Sequence, residues 1–492
     1  MFELRPYQTR AVDHVLERER AGVRRLLVVA PTGAGKATLA AELALQFAIA
    51  EKRVLFVAHR RELILQAYRR FADHGIPERE LGVIMADDPR RRPRALVQIA
   101  SIDTLRARTK PRAKLVMVDE AHRALAKSYR DLETHYPHAL HLGFTATPYR
   151  ASGRGLGDAY DELFAVATPK ELIADGYLVE PRAYTIPAER RPDLSRVRVR
   201  KGDYDERALA DAMDRGALVG DIVEHWKKHA SGVRTVAFAA SVAHSKHIAE
   251  RFRAAGVPAE HLDGTMAAAE RDAIIARIDR GETLVVSNMG ILQEGWDQPS
   301  VKCAILARPT KSTGLYLQQA GRILRPWDGQ RATILDHAGC VLEHGLPQED
   351  RPFSLGARPS TGDGADRDAA PPVRVCPSCH AILPIAARAC TSCQKSLFVE
   401  REREGVPEES DGQLIVATED VVRRAEWDRL CETATARGYQ PGWAFHQFRE
   451  RFGEPPPAAW PRPRPIQNVD VRSIATRAVR HAHGRLRWDA FG

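Results

Sequence analysis

No apolar run in these 492 residues is long enough to cross a bilayer. The opening stretch, MFELRPYQTRAV, lacks the charged-then-apolar layout of a secretory signal. The expectation is therefore a cytoplasmic protein with no membrane partner. Cysteine is scarce, and seven residues cannot frame a chain of this length with disulfides. No clear repeat relates one half of the chain to the other. Acidic side chains are outnumbered, 64 to 74, which leaves a net charge of +10 and a pI near 9.3. That excess favours an anionic macromolecular partner, although arginine-rich, alanine-rich chains are often basic for compositional reasons alone. The apolar share, 44%, is ample for large cores, and the length suits about three domains.

The chain is organised around VVAPTGAGKATL, Val28–Leu39. The apolar run Leu26–Ala30 reads as a buried parallel strand, and an alanine-rich run to Ala50 reads as a helix. Between them, Gly33 and Gly35 let the backbone turn tightly and aim successive N–H groups at phosphate oxygens. Lys36 adds a point charge, and the helix N-terminus adds its dipole. Two positions depart from the pattern G-x-x-x-x-G-K-[ST]. Ala30 stands at the first glycine, and Ala37 stands where a hydroxyl would reach Mg²⁺.

Buried strands are also expected at Val54–Ala58, Leu96–Ala100, Leu115–Val118 and Leu140–Thr145, with a helix at Glu62–Phe71. The alternation indicates a doubly wound parallel sheet, whose ligands gather at the carboxyl ends of the strands. Arg196–Arg200 alternates and reads as an exposed strand, either a nucleic-acid edge or a charge-protected solvated one; the second is favoured. A second alternating set follows: strands at Thr235–Ala239, Ala259–Leu262, Thr283–Ser287, Cys303–Ala307 and Ala332–Asp336, and helices at His244–Ala255, Ala268–Arg280 and Leu315–Ile323. The expected domains are 1–185 and 216–355, joined by a connector over 186–215. A flexible linker (356–372), a metal ribbon (373–400) and a helical C-terminal region with a basic tail (401–492) complete the chain.

Asp119-Glu120-Ala121-His122 follows an apolar strand. A carboxylate there can hold Mg²⁺ through water, and the adjacent Glu120 can polarise an attacking water. The competing reading is an acidic helix cap, which the nearby glycine loop makes the weaker one. Phosphoryl transfer also needs cations facing the terminal phosphate. Arg322 and Arg325, three apart and expected on one helical face, supply them from the second domain across a cleft.

The order of these motifs resembles the superfamily 2 helicases of the DEAD/DEAH-box type, over about Phe2 to Leu355. Arg5-Pro6-Tyr7-Gln8 is similar to the adenine-recognition motif, and the glycine loop to motif I, in which alanine at position 30 is ordinary. Ala58–Leu63 and Ala100–Leu105 resemble motifs Ia and Ib, Asp119–His122 motif II, and Thr145–Pro148 motif III. His261–Gly264 precedes Ser287–Asp297, which resembles motif V, and Gln318–Arg325 resembles motif VI. Each is weak alone, but the set in order is specific. The resemblance implies two RecA-like domains sandwiching ATP with Mg²⁺. It implies nucleotide contacts at Arg5, Gln8, Thr32, Gly33, Ala34, Gly35, Lys36, Ala37, Thr38, Asp119, Gly295, Asp297 and Gln318. It implies catalysis by Lys36, Asp119, Glu120, Arg322 and Arg325, and coupling through His122, Thr145 and Thr147. Arg60, Ser101, Gly264 and Ser287 are the implied phosphate contacts to one nucleic-acid strand. The implied partner is DNA, single-stranded or branched, with RNA as the alternative; an ATP-gated clamp without strand separation is a further one.

Four of the cysteines cluster as two C-x-x-C pairs, Cys376/Cys379 and Cys390/Cys393, a tetrathiolate set suited to tetrahedral Zn²⁺. A redox C-x-x-C would need a thioredoxin-like context that is absent here. Helices are expected at Glu419–Gly438 and Trp443–Phe452, and the aromatics of the second suit a small core better than a base-stacking platform. The stretch Gly438–Ala444, GYQPGWA, together with the ribbon, resembles the bacterial RadD type of DNA-repair helicase. That narrower likeness implies links to recombination and to the single-strand-binding protein.

Overall fold

The computed structural model describes residues 3–123, 127–148, 155–186, 191–195, 197–200, 202–213, 216–293, 295–351, 353–356, 372–397, 419–436, 439 and 442–460. Glu294 and Arg196, most of the expected linker, the charged connector 401–412, parts of the GYQPGWA stretch and the tail from 461 onward lie outside these. The chain forms two compact units, 1–399 and 400–492.

Among the described residues, the first unit holds two large sheets and a two-stranded arm. Strands β1 (Arg25–Val29), β2 (Val54–Ala58), β3 (Leu81–Ile84), β4 (Val97–Ser101), β5 (Leu115–Asp119), β6 (Leu140–Thr145) and β7 (Glu162–Ala165) form a parallel sheet in the order β3-β4-β2-β5-β6-β1-β7. Strands such as Leu26–Val29 are buried on both faces by flanking helices, which is why they read as unbroken apolar runs. The register aligns Val29 with Thr145 and Asp119 with Phe144. The glycine loop, the Asp119 carboxylate and the Thr145 turn therefore leave the same carboxyl edge.

The crossing to the second sheet comes earlier than expected. Strand β8 (Pro181–Thr185) pairs in parallel with a strand of the second sheet, so residues 181–185 sit there and the boundary at 185 falls too late. A proline at its first position and alternating burial conceal this strand in the sequence. The expected strand at 196–200 shrinks to β9 (Val199–Arg200), an exposed two-residue arm paired with β10 (Asp203–Tyr204). Asp203 ties that hairpin to the second domain by accepting from the Lys311 amide at 2.8 Å and the Thr310 hydroxyl at 2.9 Å.

Strands β11 (Thr235–Ala239), β12 (Ala259–Asp263), β13 (Val285–Met289), β14 (Cys303–Ala307), β15 (Ala332–Asp336), β16 (Val373–Val375) and β17 (Ala381–Pro384) complete the second sheet. Its order is β12-β13-β11-β14-β15-β8-β17-β16. The last two strands are antiparallel, with Ile382 opposite Ala183. The metal ribbon is thus an extension of the second sheet. Phe353 and Leu355 pack on the core of the first domain beside Leu156 and Tyr160, and Gly157 N–H donates to the Leu355 carbonyl. The expected second domain thus ends by returning to the first.

The unit 400–492 contains the helices Glu419–Ala436 and Gly442–Phe452. Trp427, Leu430, Ala444 and Phe448 form its core, with Trp443, Phe445, Phe452 and Trp460 packed against them. The aromatics serve a small core, as expected. Among the described residues no helix is long and apolar enough to cross a membrane.

Candidate nucleotide site

The glycine loop uses its glycines as the pattern requires. Gly33 and Gly35 have φ of 93° and 82°, and Gly35 caps the helix Lys36–Ile49 in the left-handed region. Tyr7 O–H and Gln8 Nε2 both donate to the Ala34 carbonyl, at 3.0 and 3.1 Å, and Arg5 N–H donates to Gln8 Oε1. Gln8 therefore braces the phosphate loop from beneath. The Arg5 guanidinium lies over the Tyr177 ring, 4.5 Å from its centroid. Tyr177 is a site feature that the motif reading missed, and Tyr7, within the quoted motif, gains a role there as a brace of the loop.

Residues from both domains line one open cleft with about 910 Å³ of empty space, its mouth included. From the first domain come Thr32, Gly33, Gly35, Lys36, Ala37, Thr38, Asp119 and Glu120. From the second come Gly295, Asp297, Gln318, Arg322 and Arg325. Gln66 and Arg70, on the helix Arg61–Asp73, also line it and were not anticipated. Burial pulls the Lys36 ammonium below the ordinary lysine range. Glu120 and Asp119 oppose that fall, and Arg322 and Arg325 deepen it. A polyanion is the electrostatic complement of the cations in such a cleft.

Glu120 is buried and held at φ 52°, a backbone conformation that non-glycine residues rarely adopt. Gln318 Nε2 donates to its Oε2 across the cleft at 3.1 Å, and His122 Nδ1 lies 3.3 Å from the same oxygen. The carboxylate is thereby aimed from both domains. Thr145 Oγ1 donates to the Thr147 carbonyl at 2.7 Å and accepts from the Thr147 amide at 3.1 Å, which makes a rigid buried turn.

The two arginines are not on a helix face. The helix ends at Gly321, Arg322 is its C-cap, and Arg325 sits in the turn beyond. Glycine and the turn at Ile323–Leu324 end the helix where simple periodicity would continue it. Arg322 is braced by the carbonyls of Gln293 and Trp296. Arg325 pairs with Asp297 at 2.7 Å. Burial lowers the Arg325 pKa, against the pull of Asp297.

Of the expected nucleic-acid contacts, Gly264 is exposed and Ser101 partly so. Arg60 Nη1 donates to the Gly290 carbonyl at 2.9 Å and so bridges the two domains. Ser287 is the correction. It is fully buried in β13, its Oγ 2.9 Å from Ser245 Oγ, and cannot touch a strand outside. Position 287 begins the motif in sequence, but the pleat turns its side chain inward.

The four ribbon thiols lie within 4.8 Å of one another. The Cys376–Cys393 and Cys379–Cys390 separations are 3.7 and 3.6 Å. Tetrahedral Zn²⁺ with bonds of about 2.3 Å needs sulfurs about 3.8 Å apart, so the set fits that ion. Each knuckle ends in a left-handed residue, His380 at φ 58° and Gln394 at φ 62°. His380 N–H donates to the Cys376 carbonyl and Gln394 N–H to the Cys390 carbonyl. Burial raises the Cys376 thiol, but the amides of Cys379 and Ser378 and the facing thiols outweigh it and lower its pKa below the ordinary cysteine value.

Lys302 is a further residue that sequence reasoning missed. It is fully buried, and its Nζ donates to the Ile323 carbonyl at 3.2 Å, inside the turn that carries both arginines. Burial, with help from Arg325, lowers its pKa to about 8. The charged form is thus penalised in the folded state below about pH 8, and the penalty fades as pH rises toward 10.5, so stability rises across that window. Replacement Lys302→Met removes a penalty of up to about 3 kcal/mol. The expected outcome is a higher urea midpoint at pH 7, a gain that shrinks between pH 8 and 10.5, and a lower ATP turnover as the turn loses its tie. Parallel urea titrations at several pH values check this.

Comparison with known proteins fits this geometry. Residues 1–150 match the family described as "Type III restriction enzyme, res subunit", and residues 217–326 match "Helicase conserved C-terminal domain". The chain is 31% identical over 392 residues to a "51.5 kDa protein" of a Lactococcus phage, covering 79% of this chain and 82% of that one. It is 31% identical over 342 residues to the "Putative ATP-dependent helicase IRC3" of Saccharomyces cerevisiae, covering 65% of this chain and 49% of that one. The chain thus spans about half the length of the yeast protein. In fold it is similar to the fragment described as "a putative HsdR subunit of a type I restriction enzyme" from Vibrio vulnificus. That likeness has a TM-score of 0.55 and 18% identity, over 71% of this chain and 66% of that one. Two family matches, the second of them a helicase C-terminal domain, fall on two domains whose motifs meet in one cleft, and the chain belongs to the superfamily 2 helicases, enzymes that hydrolyse ATP in dependence on nucleic acid.

Proposed function

We propose that this protein is a DNA translocase or helicase in which ATP hydrolysis drives opening and closing of the cleft between its two domains. The observation that carries the reading is the shared cleft: carboxylates and lysine from one domain face arginines and an amide from the other. The loop amides and Lys36 hold the β- and γ-phosphates. Asp119 would hold Mg²⁺, which would supply charge neutralisation at the phosphates. Glu120, aimed by Gln318 and His122, takes a proton from the attacking water. Arg322 and Arg325 stabilise the charge that develops as the terminal phosphoryl group leaves. Gln8 and Arg5 read the adenine end, and Gly295 and Asp297 complete the nucleotide contacts. Thr145, Thr147 and His122 relay closure toward the nucleic acid, which Arg60, Ser101 and Gly264 meet at its backbone.

DNA is favoured over RNA because the family matched by residues 1–150 is named for a restriction enzyme. The type ISP enzyme LlaBIII, of similar fold, was also solved bound to DNA. The ribbon and the GYQPGWA stretch support the RadD type, hence a role in DNA repair or recombination in the cytoplasm. The single-strand-binding protein and recombination proteins are the partners that reading names. Four close thiols without a disulfide suit a reducing compartment with Zn²⁺ bound.

Titrating ATPase activity with single-stranded DNA and, separately, with RNA tests the substrate. DNA is expected to stimulate turnover more strongly, and the stimulation to collapse as salt rises, because backbone contacts release counterions. Equal turnover with and without either polymer contradicts the reading.

Ala37 leaves the metal one hydroxyl short. Restoring it with Ala37→Thr is expected to raise turnover or lower the Mg²⁺ concentration for half-maximal activity by several-fold. A magnesium titration of both proteins measures it, and unchanged curves would show that another ligand already fills the position.

A further inference from the structure

A buried chain of hydrogen bonds runs from an exposed turn of the second domain to the strand that enters the nucleotide cleft. The turn is Gly264–Thr265, exposed at the carboxyl end of β12. The Thr265 amide and hydroxyl both donate to Asp263 Oδ1, each at 2.6 Å. The other carboxylate oxygen, Asp263 Oδ2, lies 2.7 Å from His261 Nε2. His261 Nδ1 lies 2.7 Å from Ser245 Oγ, and Ser245 Oγ lies 2.9 Å from Ser287 Oγ. Asp263, Ser245 and Ser287 are all buried. Burial pushes the Asp263 carboxyl up, but Thr265 and His261 outweigh it and hold the pKa at about 2, so the group is ionised.

An ionised carboxylate only accepts, so His261 Nε2 donates to Asp263. His261 Nδ1 shares a hydrogen bond with the Ser245 hydroxyl, and Ser245 shares one with the Ser287 hydroxyl. Every member then has a partner within the chain. Such a network ties its two ends to each other, because breaking a link leaves a buried group unpaired.

Both ends lead somewhere. One is the turn that holds Gly264. The other is Ser287, whose neighbour Asn288 accepts from the Leu292 amide at 3.1 Å and so shapes the loop after β13. In that loop the Gly290 carbonyl receives Arg60, the Gln293 and Trp296 carbonyls receive Arg322, and Asp297 receives Arg325.

We propose that His261 is a positioning residue that holds the Gly264–Thr265 turn in the form that receives a nucleic-acid phosphate and ties that turn to the strand feeding the nucleotide cleft. The proposal rests on the reading that this turn meets the nucleic-acid backbone. Its two ring nitrogens do separate work. Nε2 sets the turn, and Nδ1 connects it to β13.

Amide substitutions separate the two. The Asn side chain reaches as far as Nδ1, so His261→Asn keeps the serine side and releases Asp263. The Gln side chain reaches as far as Nε2, so His261→Gln keeps Asp263 and releases the serines. ATPase stimulation by single-stranded oligo(dT) is measured for both, with thermal unfolding as the check on folding. His261→Asn is expected to raise the oligo(dT) concentration for half-maximal stimulation by about tenfold and to retain the maximal rate. His261→Gln is expected to keep the half-maximal concentration within about twofold and to lose most of the maximal stimulation. A third variant, Gly264→Glu, places an anion on the turn without removing a relay hydrogen bond and isolates the underlying reading. If Gly264→Glu weakens stimulation by oligo(dT) while both His261 variants follow the parent, the relay is refuted and the phosphate-contact reading stands. If Gly264→Glu has no effect, that reading fails and the proposal falls with it. Ser245→Ala, a small change on the serine side, is expected to reproduce the His261→Gln pattern, and a parent-like curve for it overturns the connection to β13.

Discussion

Two sheets present their carboxyl edges to one cleft, and glycine is what lets them meet there. A methyl group at Gly321 would overlap Thr32 of the phosphate loop. One at Gly314 would lie 2.8 Å from Thr147 Oγ1, and one at Gly295 would lie 2.8 Å from Leu63. All three glycines belong to the second domain, and all three face a side chain of the first. Steric closeness at these points brings the motif VI turn onto the glycine loop, so the rest of the site depends on it.

The chemistry is divided by the same seam. One domain carries the phosphate cradle and the carboxylates, and the other carries the arginines and Gln318. Neither half is complete alone, so the energy of binding a polyanion between them is available to draw the domains together. The lowered pKa of Lys36 shows the electrostatic side of this arrangement. The cation is desolvated among further cations, and a triphosphate relieves that strain. Supports stand behind the exposed groups: Lys302 under the arginine turn, Gln8 under the loop, and His261 under the Gly264 turn.

Most of the architecture was legible because it rests on local signals. Buried parallel strands such as Leu26–Val29 and Leu115–Val118 are continuous apolar runs, and Gly33, Gly35 and Lys36 declare a phosphate cradle. What escaped depends on partners distant in sequence. β8 is short and starts with proline, and only its pairing with β15 shows which sheet owns it. The inward turn of Ser287 follows from strand register, which a motif does not encode. Arg322 and Arg325 were legible as a pair, but the end of their helix at Gly321 was not. Lys302 gave no signal at all, since a lysine in sequence reads as surface until a carbonyl is found for it.

The account stands or falls on closure of the cleft. The direct measurement is Gly321→Val, a change on the second domain whose added Cβ would overlap Thr32 of the first. Binding of a fluorescent ATP analogue and DNA-stimulated turnover are measured on the same protein. The account predicts that the analogue still binds within a few-fold, because its main cradle is on the first domain, while turnover falls by about a hundredfold or more as the arginines are held away. Turnover equal to that of the parent protein would contradict it.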